Sequence, residues 1–288
     1  MGVVDIIEHR GPDHAELGVT TTDRARLRVE IRGQGRPLVL LHGWTMSSRF
    51  WERQMQGLEK DFCLVAVNFR SHGNSTNTDN GHTMPRYAKD VRDIIDTLDL
   101  NGCLLMGWSM GGAAVLEYWN QFGGHRLDGI GLVESAPAPM CSEPWNTHRY
   151  RDHNAEAMEA DLDAMERSRD TYGRLFVSNM FLSGVAPQQD MEWMLREHLK
   201  IPASSAAAIY ADYARRDYLD VLPKVSVPAL VAYGRSEHLC YGPGAGQFVA
   251  DSLPNSTLAL FDHSGHIPFY EDAEDFNRTV REFAATLD

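Results

Sequence analysis

An α/β fold built on a mostly parallel sheet flanked by helices is predicted by three observations: fully apolar runs recur, amphipathic helical segments separate them, and the runs end on short glycine-bearing turns. A run with no polar face is buried on both sides, as strands are when crossover helices cover the sheet. Leu27, Val29 and Ile31 alternate with Arg28 and Glu30, the pattern of a half-buried antiparallel strand, and Gly33 to Gly35 turn it into the apolar run 37–41. Runs 62–67, 103–106 and 129–133 follow. Between them, Phe50, Trp51, Met55 and Leu58 share one helical face. Tyr87, Val91, Ile94, Ile95 and Leu98 share another, with Pro85 near its start, where a missing amide costs least.

From 137 to 223 the rhythm changes to a segment without apolar strands, rich in Met, aromatic and acidic residues. Met158, Leu162 and Met165 fall at helical spacing among carboxylates, which predicts a helical lid packed on the sheet domain. Strands resume at 228–233 and 257–261, and 276–283 reads as a closing helix. The expected organisation is a core in two parts, 1–136 and 224–288, with the lid at 137–223 inserted between them.

The chain has 288 residues, 43% hydrophobic, enough for one sizeable core. Its formal charge of -13 leaves no basic excess to neutralise phosphates, which argues against nucleic acid and anionic membranes as partners. Cys63, Cys103, Cys141 and Cys240 show no C-x-x-C pairing, so neither a disulfide framework nor a metal site is expected. Charged residues interrupt the first 17 positions, no stretch reaches membrane-spanning length, and a cytoplasmic enzyme acting on a small molecule is the expectation. A homodimer through the lid or an edge strand is compatible with the sequence.

The chemistry concentrates at Gly107-Trp108-Ser109-Met110-Gly111, between an apolar run and a helical one. A serine at a strand-to-helix corner takes strained backbone angles, and glycine two residues to either side lets neighbouring chain pass. Ser109 is the candidate nucleophile. The Met110 amide, at the helix mouth, is a candidate oxyanion donor, and Trp44 in His42-Gly43-Trp44 offers the second. A serine hydroxyl needs a base, and His266, on the turn between the last strand and a helix, is the candidate. The imidazole in turn needs a carboxylate. Two fit: Glu237, after the run 228–233, and Glu134, at the end of the run 129–133.

These motifs, His42-Gly43-Trp44, the Arg70 to Ser75 turn, Gly107 to Gly111 and Ser264-Gly265-His266, taken in order, resemble the α/β-hydrolase superfamily, most closely its esterase and cofactor-free haloperoxidase branch. The resemblance implies an α/β-hydrolase fold with a mostly parallel eight-stranded sheet, a helical lid inserted after strand six, a site at the sheet's carboxyl edge and no cofactor. Ser71 stands where relatives usually carry glycine, and glutamate replaces the usual aspartate at 237. The expected reaction is hydrolysis of a small carboxylic ester or lactone through an acyl-enzyme. Carbon-carbon bond hydrolysis, cofactor-free dioxygenation of an N-heteroaromatic ring with His266 as base, and a receptor that has lost turnover are the alternatives. Trp108, Trp145 and His148 are expected at the substrate, within an aromatic pocket that also draws on Tyr150, Tyr172, Phe176, Met180, Phe181 and Trp193.

Overall fold

The structure, a computed structural model, describes residues 3–11, 13–235, 239 and 242–287. Its strands are β1 (Val3–Gly11), β2 (His14–Thr20), β3 (Arg26–Arg32), β4 (Arg36–Leu41), β5 (Phe62–Val67), β6 (Cys103–Trp108), β7 (Leu127–Val133), β8 (Ala229–Gly234) and β9 (Ser256–Phe261). They form one mixed sheet in the order β1-β2-β3-β5-β4-β6-β7-β8-β9. Pairing is antiparallel from β1 through β3 to β5 and parallel from β5 onward. Among the described residues nine strands stand in the sheet where eight were expected. The additional β1 pairs only with β2 at the sheet edge, and Val3, Val4, Ile6 and Ile7 on it are exposed, so its sequence lacks the alternation that burial of one face imposes.

The parallel strands bury both faces. Leu38, Leu40, Leu64, Ala66, Leu104 and Met106 point to one side, beneath α1 (Glu52–Gly57), α9 (Pro268–Glu271) and α10 (Ala273–Ala284). Val39, Leu41, Val65, Val67, Cys103 and Leu105 point to the other, beneath α2 (Met84–Thr97), α3 (Met110–Phe122) and α8 (Pro243–Ser252). Each buried aliphatic side chain contributes about 1.5–3 kcal/mol relative to exposure. Thr83 caps α2 by accepting the Arg86 amide, with Pro85 in the first turn, and the helix buries Tyr87, Val91, Ile94 and Ile95. Between β7 and β8 lies a helical insert of α4 (Ala155–Arg167), α5 (Arg169–Met180), α6 (Gln188–Lys200) and α7 (Ala203–Ala214). On α4, Met158 and Met165 are buried, as their spacing predicts. Among the described residues no helix is long and apolar enough to cross a membrane.

The turn after β5 is held by charge. The buried Arg70 guanidinium donates to both oxygens of buried Asp90, at 2.7 and 2.6 Å, and to Asp23 at 2.9 Å. Losing either partner of the buried pair strands the other without water, which typically costs about 3–5 kcal/mol. Ser71, in the position expected to carry glycine, has φ 61, and its hydroxyl accepts the Thr78 amide at 3.0 Å. The local bond holds a conformation that glycine reaches freely.

His42 follows β4 with no exposed surface. Its Nδ1–H donates to the Gly43 carbonyl at 2.8 Å, and its Nε2 accepts the Phe69 amide at 3.1 Å, so the neutral ring joins two turns. Burial pushes its pKa down to about 4. The unfolded chain binds a proton here below about pH 6.5 while the native state refuses it, so this contribution is complete above that pH and is lost as the pH falls toward 4. Urea titrations of the wild type and His42→Gln at pH 7 and pH 5 should show the wild type losing about 2 kcal/mol more than the variant on acidification.

Candidate active site

The sheet's winding reverses beside β4: β5 was added on one side of it and β6 on the other. At such a reversal the helices leave opposite faces and open a crevice at the carboxyl ends of the strands. Gly43 and Trp44 lie just past the end of β4, and Ser109 follows β6 directly. Ser109 has φ 55 and ψ -120, far from the usual regions for a residue with a side chain. Its amide still donates to the Val133 carbonyl at 2.9 Å, and its carbonyl accepts the Ser135 hydroxyl at 2.8 Å. A methyl on Gly107 would lie 2.1 Å from the Gly111 carbonyl oxygen, and one on Gly111 2.5 Å from that of Leu41. The first turn of α3 therefore presses on the end of β4, bringing the Met110 amide close to the turn that carries Trp44. The first amides of a helix lack intrahelical partners, which leaves that of Met110 available to an oxyanion.

His266 lies between β9 and α9, and Glu134 follows β7, with φ 45. The imidazole Nδ1 and Glu134 Oε2 are 3.1 Å apart, and both residues are buried. Glu134 Oε1 accepts the Gly234 amide at 2.7 Å, so each carboxylate oxygen meets an N–H group. Burial pushes the Glu134 carboxyl above its ordinary range, opposed by the Gly234 hydrogen bond, and pushes His266 down to about 3. Glu237, the other carboxylate that the sequence offers, lies outside the described residues.

The histidine turn is tied to its surroundings at three further points. The Trp108 indole Nε1 donates to the His266 carbonyl at 2.8 Å, and the His266 amide donates to Met180 at the end of α5, also at 2.8 Å. The Glu271 carboxylate accepts the Gly265 amide at 2.7 Å and the Leu182 amide at 3.1 Å. Burial raises the Glu271 pKa, against the pull of those two amides.

Ser109 and His266 line one cavity, with Trp44, His148, Arg149, Tyr172, Phe176, Tyr210, Tyr213 and Leu239. Its volume is about 40 Å³, room for a few water molecules. Of the three side chains expected at the substrate, His148 lines the cavity and two do not. Trp108, one residue before Ser109, points to the opposite side of the sheet, against Phe50 and Phe269. Trp145 stacks face to face on Phe248 at 4.2 Å. Tyr172 and Phe176 are present as expected, whereas Tyr150, Met180, Phe181 and Trp193 are buried elsewhere. Sequence reasoning missed Arg149 and the pair Tyr210 and Tyr213, one turn apart on α7; their three-residue spacing in an alanine-rich helix was the available signal.

Residues 36–273 match the profile of a family described as alpha/beta hydrolase fold. The chain is 28% identical to the non-heme chloroperoxidase CPO-A1 of Kitasatospora aureofaciens, over 92% of this chain and 98% of that protein. It is also 28% identical to a pimeloyl-[acyl-carrier protein] methyl ester esterase of Chromobacterium violaceum, over 90% and 98%. Among solved structures, the esterase EaEST of Exiguobacterium antarcticum superimposes with a TM-score of 0.84 at 23% identity, covering 93% of this chain and 99% of that one.

The corner itself can be tested through its glycines. Gly107→Ala places a methyl against backbone that cannot yield, and should cost more than about 4 kcal/mol or abolish soluble expression. Gly123→Ala, where φ is 56 but no atom lies within 4 Å, should cost only about 1 kcal/mol, the ordinary strain of a left-handed residue. Thermal melts of the two variants decide whether packing at the elbow is as tight as described.

Proposed function

We propose that this chain, which belongs to the α/β-hydrolase family, hydrolyses a small carboxylic ester or lactone, with Ser109 as nucleophile, His266 as general base and Glu134 as the carboxylate that orients it. The observation that carries this reading is the imidazole of His266, bonded through Nδ1 to a buried carboxylate on the wall of the cavity that Ser109 also lines. With Nδ1–H donating to Glu134, the lone pair is on Nε2, where a base needs it. The depressed pKa of His266 keeps the ring neutral and ready to accept a proton.

The serine oxygen attacks the ester carbonyl as Nε2 takes the hydroxyl proton, and the Trp44 and Met110 amides receive the charge that forms on oxygen. As the tetrahedral species collapses, the C–O bond to the leaving group breaks and the imidazolium returns its proton to the departing alcohol. Water, activated by the same nitrogen, then releases the acid from Ser109. Glu134 favours the imidazolium in both halves of the cycle, since its negative charge is worth most when the ring is positive. The small aromatic cavity supports a short acyl group, and a longer one requires lid side chains to move.

Ser109→Ala should abolish turnover of p-nitrophenyl acetate with the melting temperature unchanged; retained turnover with a normal burst would refute the nucleophile. Glu134→Gln should lower kcat by about 100-fold to 10,000-fold, while Glu237→Gln stays near wild type. The reverse order of the two losses would move the acid to Glu237.

A further inference from the structure

Thr45, directly after the proposed oxyanion donor Trp44, has φ 59. For a β-branched side chain this backbone state costs about 1–3 kcal/mol and persists only where surroundings enforce it. Three bonds do so. The Thr45 amide donates to His72 Nε2 at 3.2 Å, the Thr45 hydroxyl donates to the Trp44 carbonyl at 2.7 Å, and the same hydroxyl oxygen lies 2.7 Å from Nδ1 of His198. A hydroxyl has one hydrogen, so His198 must be the donor of the last bond, through Nδ1–H.

His198 belongs to α6 of the insert. Its ring is buried, edge-on to Trp44 with centroids 5.9 Å apart, and it also contacts Tyr172 and Phe176. Its Nε2 is buried with no hydrogen-bond partner, facing Gly173, where a methyl would lie 3.1 Å away. An orphaned polar atom of this kind costs about 1–3 kcal/mol, a burden that an apolar side chain on α6 would avoid. What the histidine supplies in return is the bond to Thr45.

We propose that His198 and Thr45 are positioning residues for the oxyanion hole, through which the seated lid helix fixes the backbone around Trp44. Both peptides flanking the Trp44 Cα are held. The peptide that carries the Trp44 amide is clamped by His42 Nδ1–H on the Gly43 carbonyl, and the next peptide by Thr45, His198 and His72. The indole itself reaches the insert, donating to the Ala206 carbonyl at 2.9 Å and stacking on Tyr210. A donor already aimed stabilises the developing charge without reorganising, so loosening the second clamp is felt in the transition state more than in the bound ester. This inference rests on the hydrolase reading above.

The test compares Thr45→Val, which keeps the shape and loses the hydroxyl, with Thr45→Ser, which keeps the hydroxyl. From the lid side, His198→Phe removes the donor, and His198→Asn sets an amide nitrogen in place of Nδ1. Thr45→Val and His198→Phe should each lower kcat for p-nitrophenyl acetate by about 10-fold to 100-fold, with KM within about two-fold and no further loss in the double variant. Thr45→Ser and His198→Asn should recover most of the rate. The inhibition constant of an alkyl trifluoromethyl ketone, which forms an oxyanion on the serine, should weaken in step with kcat/KM. A wild-type kcat in Thr45→Val, a loss confined to KM, or an unmoved inhibition constant would overturn the proposal while wild-type turnover left the hydrolase reading standing. Absence of wild-type turnover together with a Ser109 inert to fluorophosphonate would overturn both.

Discussion

One carboxylate shut away from water sets the terms for the carboxyl edge of this sheet. Glu134 has no exposed surface, and its two oxygens meet the Gly234 amide and the His266 imidazole. A buried carboxylate is tolerated only when such donors surround it, and removing one leaves a charge that water cannot reach. The side chain thereby ties the ends of β7 and β8 to the turn after β9. The same enclosure keeps the imidazole neutral, so burial supplies the rigidity of the histidine while lowering its basicity, and the neighbouring Glu134 carboxylate favours its protonated form.

Strain gathers where this edge does its work. Thr45 after β4, Ser109 after β6 and Glu134 after β7 all carry φ between 45 and 59, each just past a buried parallel strand. A strand end is a favourable place for such a residue, because the ladder behind it is already fixed. The Ser109 amide donates to Val133 and the Glu134 amide to Ala232, so the backbone is anchored up to the corner and free to bend beyond it. The corners aim Ser109 into the cavity, the Glu134 carboxylate at His266, which lines it, and the Thr45 hydroxyl at His198. Stability invested in the strands is in this way converted into geometry at their tips.

The apolar runs identified the parallel strands because burial on both faces leaves no polar alternation to misread. The elbow was legible for a related reason: Gly107 and Gly111 each stand where a single carbon would strike backbone. Other features were hidden. The outermost strand β1, whose described side chains are exposed or half-buried along its length, has no buried face to mark it. Trp108 was expected at the substrate from its proximity to Ser109, but adjacent strand residues point to opposite faces, and the indole lies beneath the sheet edge, holding the histidine turn from behind. Trp145 has an aromatic partner in Phe248, more than a hundred positions away, that no local pattern announces. Glu134 and Glu237 were equivalent as letters, since both follow apolar strands; what carries the Glu134 carboxylate to His266 is the direction its side chain takes from its own left-handed backbone.

The insert is commonly imagined as a cover that swings over a finished site, and the bonding described above argues for another arrangement. The His266 amide donates to Met180, and Glu271 bridges the amides of Gly265 and Leu182, so the turn carrying the imidazole is joined to the end of α5 by three hydrogen bonds. Trp44 is joined to α7 through Ala206 and Tyr210. A lid that withdrew as one body would break these bonds and uncover the carbonyls and amides that make them. Admission of substrate is cheaper through the side chains that line the cavity, whose aromatic rings can turn while the backbone stays bonded. On the proposed hydrolase reading the insert is part of the frame that holds the reacting groups, and selectivity would reside in rings such as Tyr172, Phe176 and Tyr213, which line the cavity with Ser109.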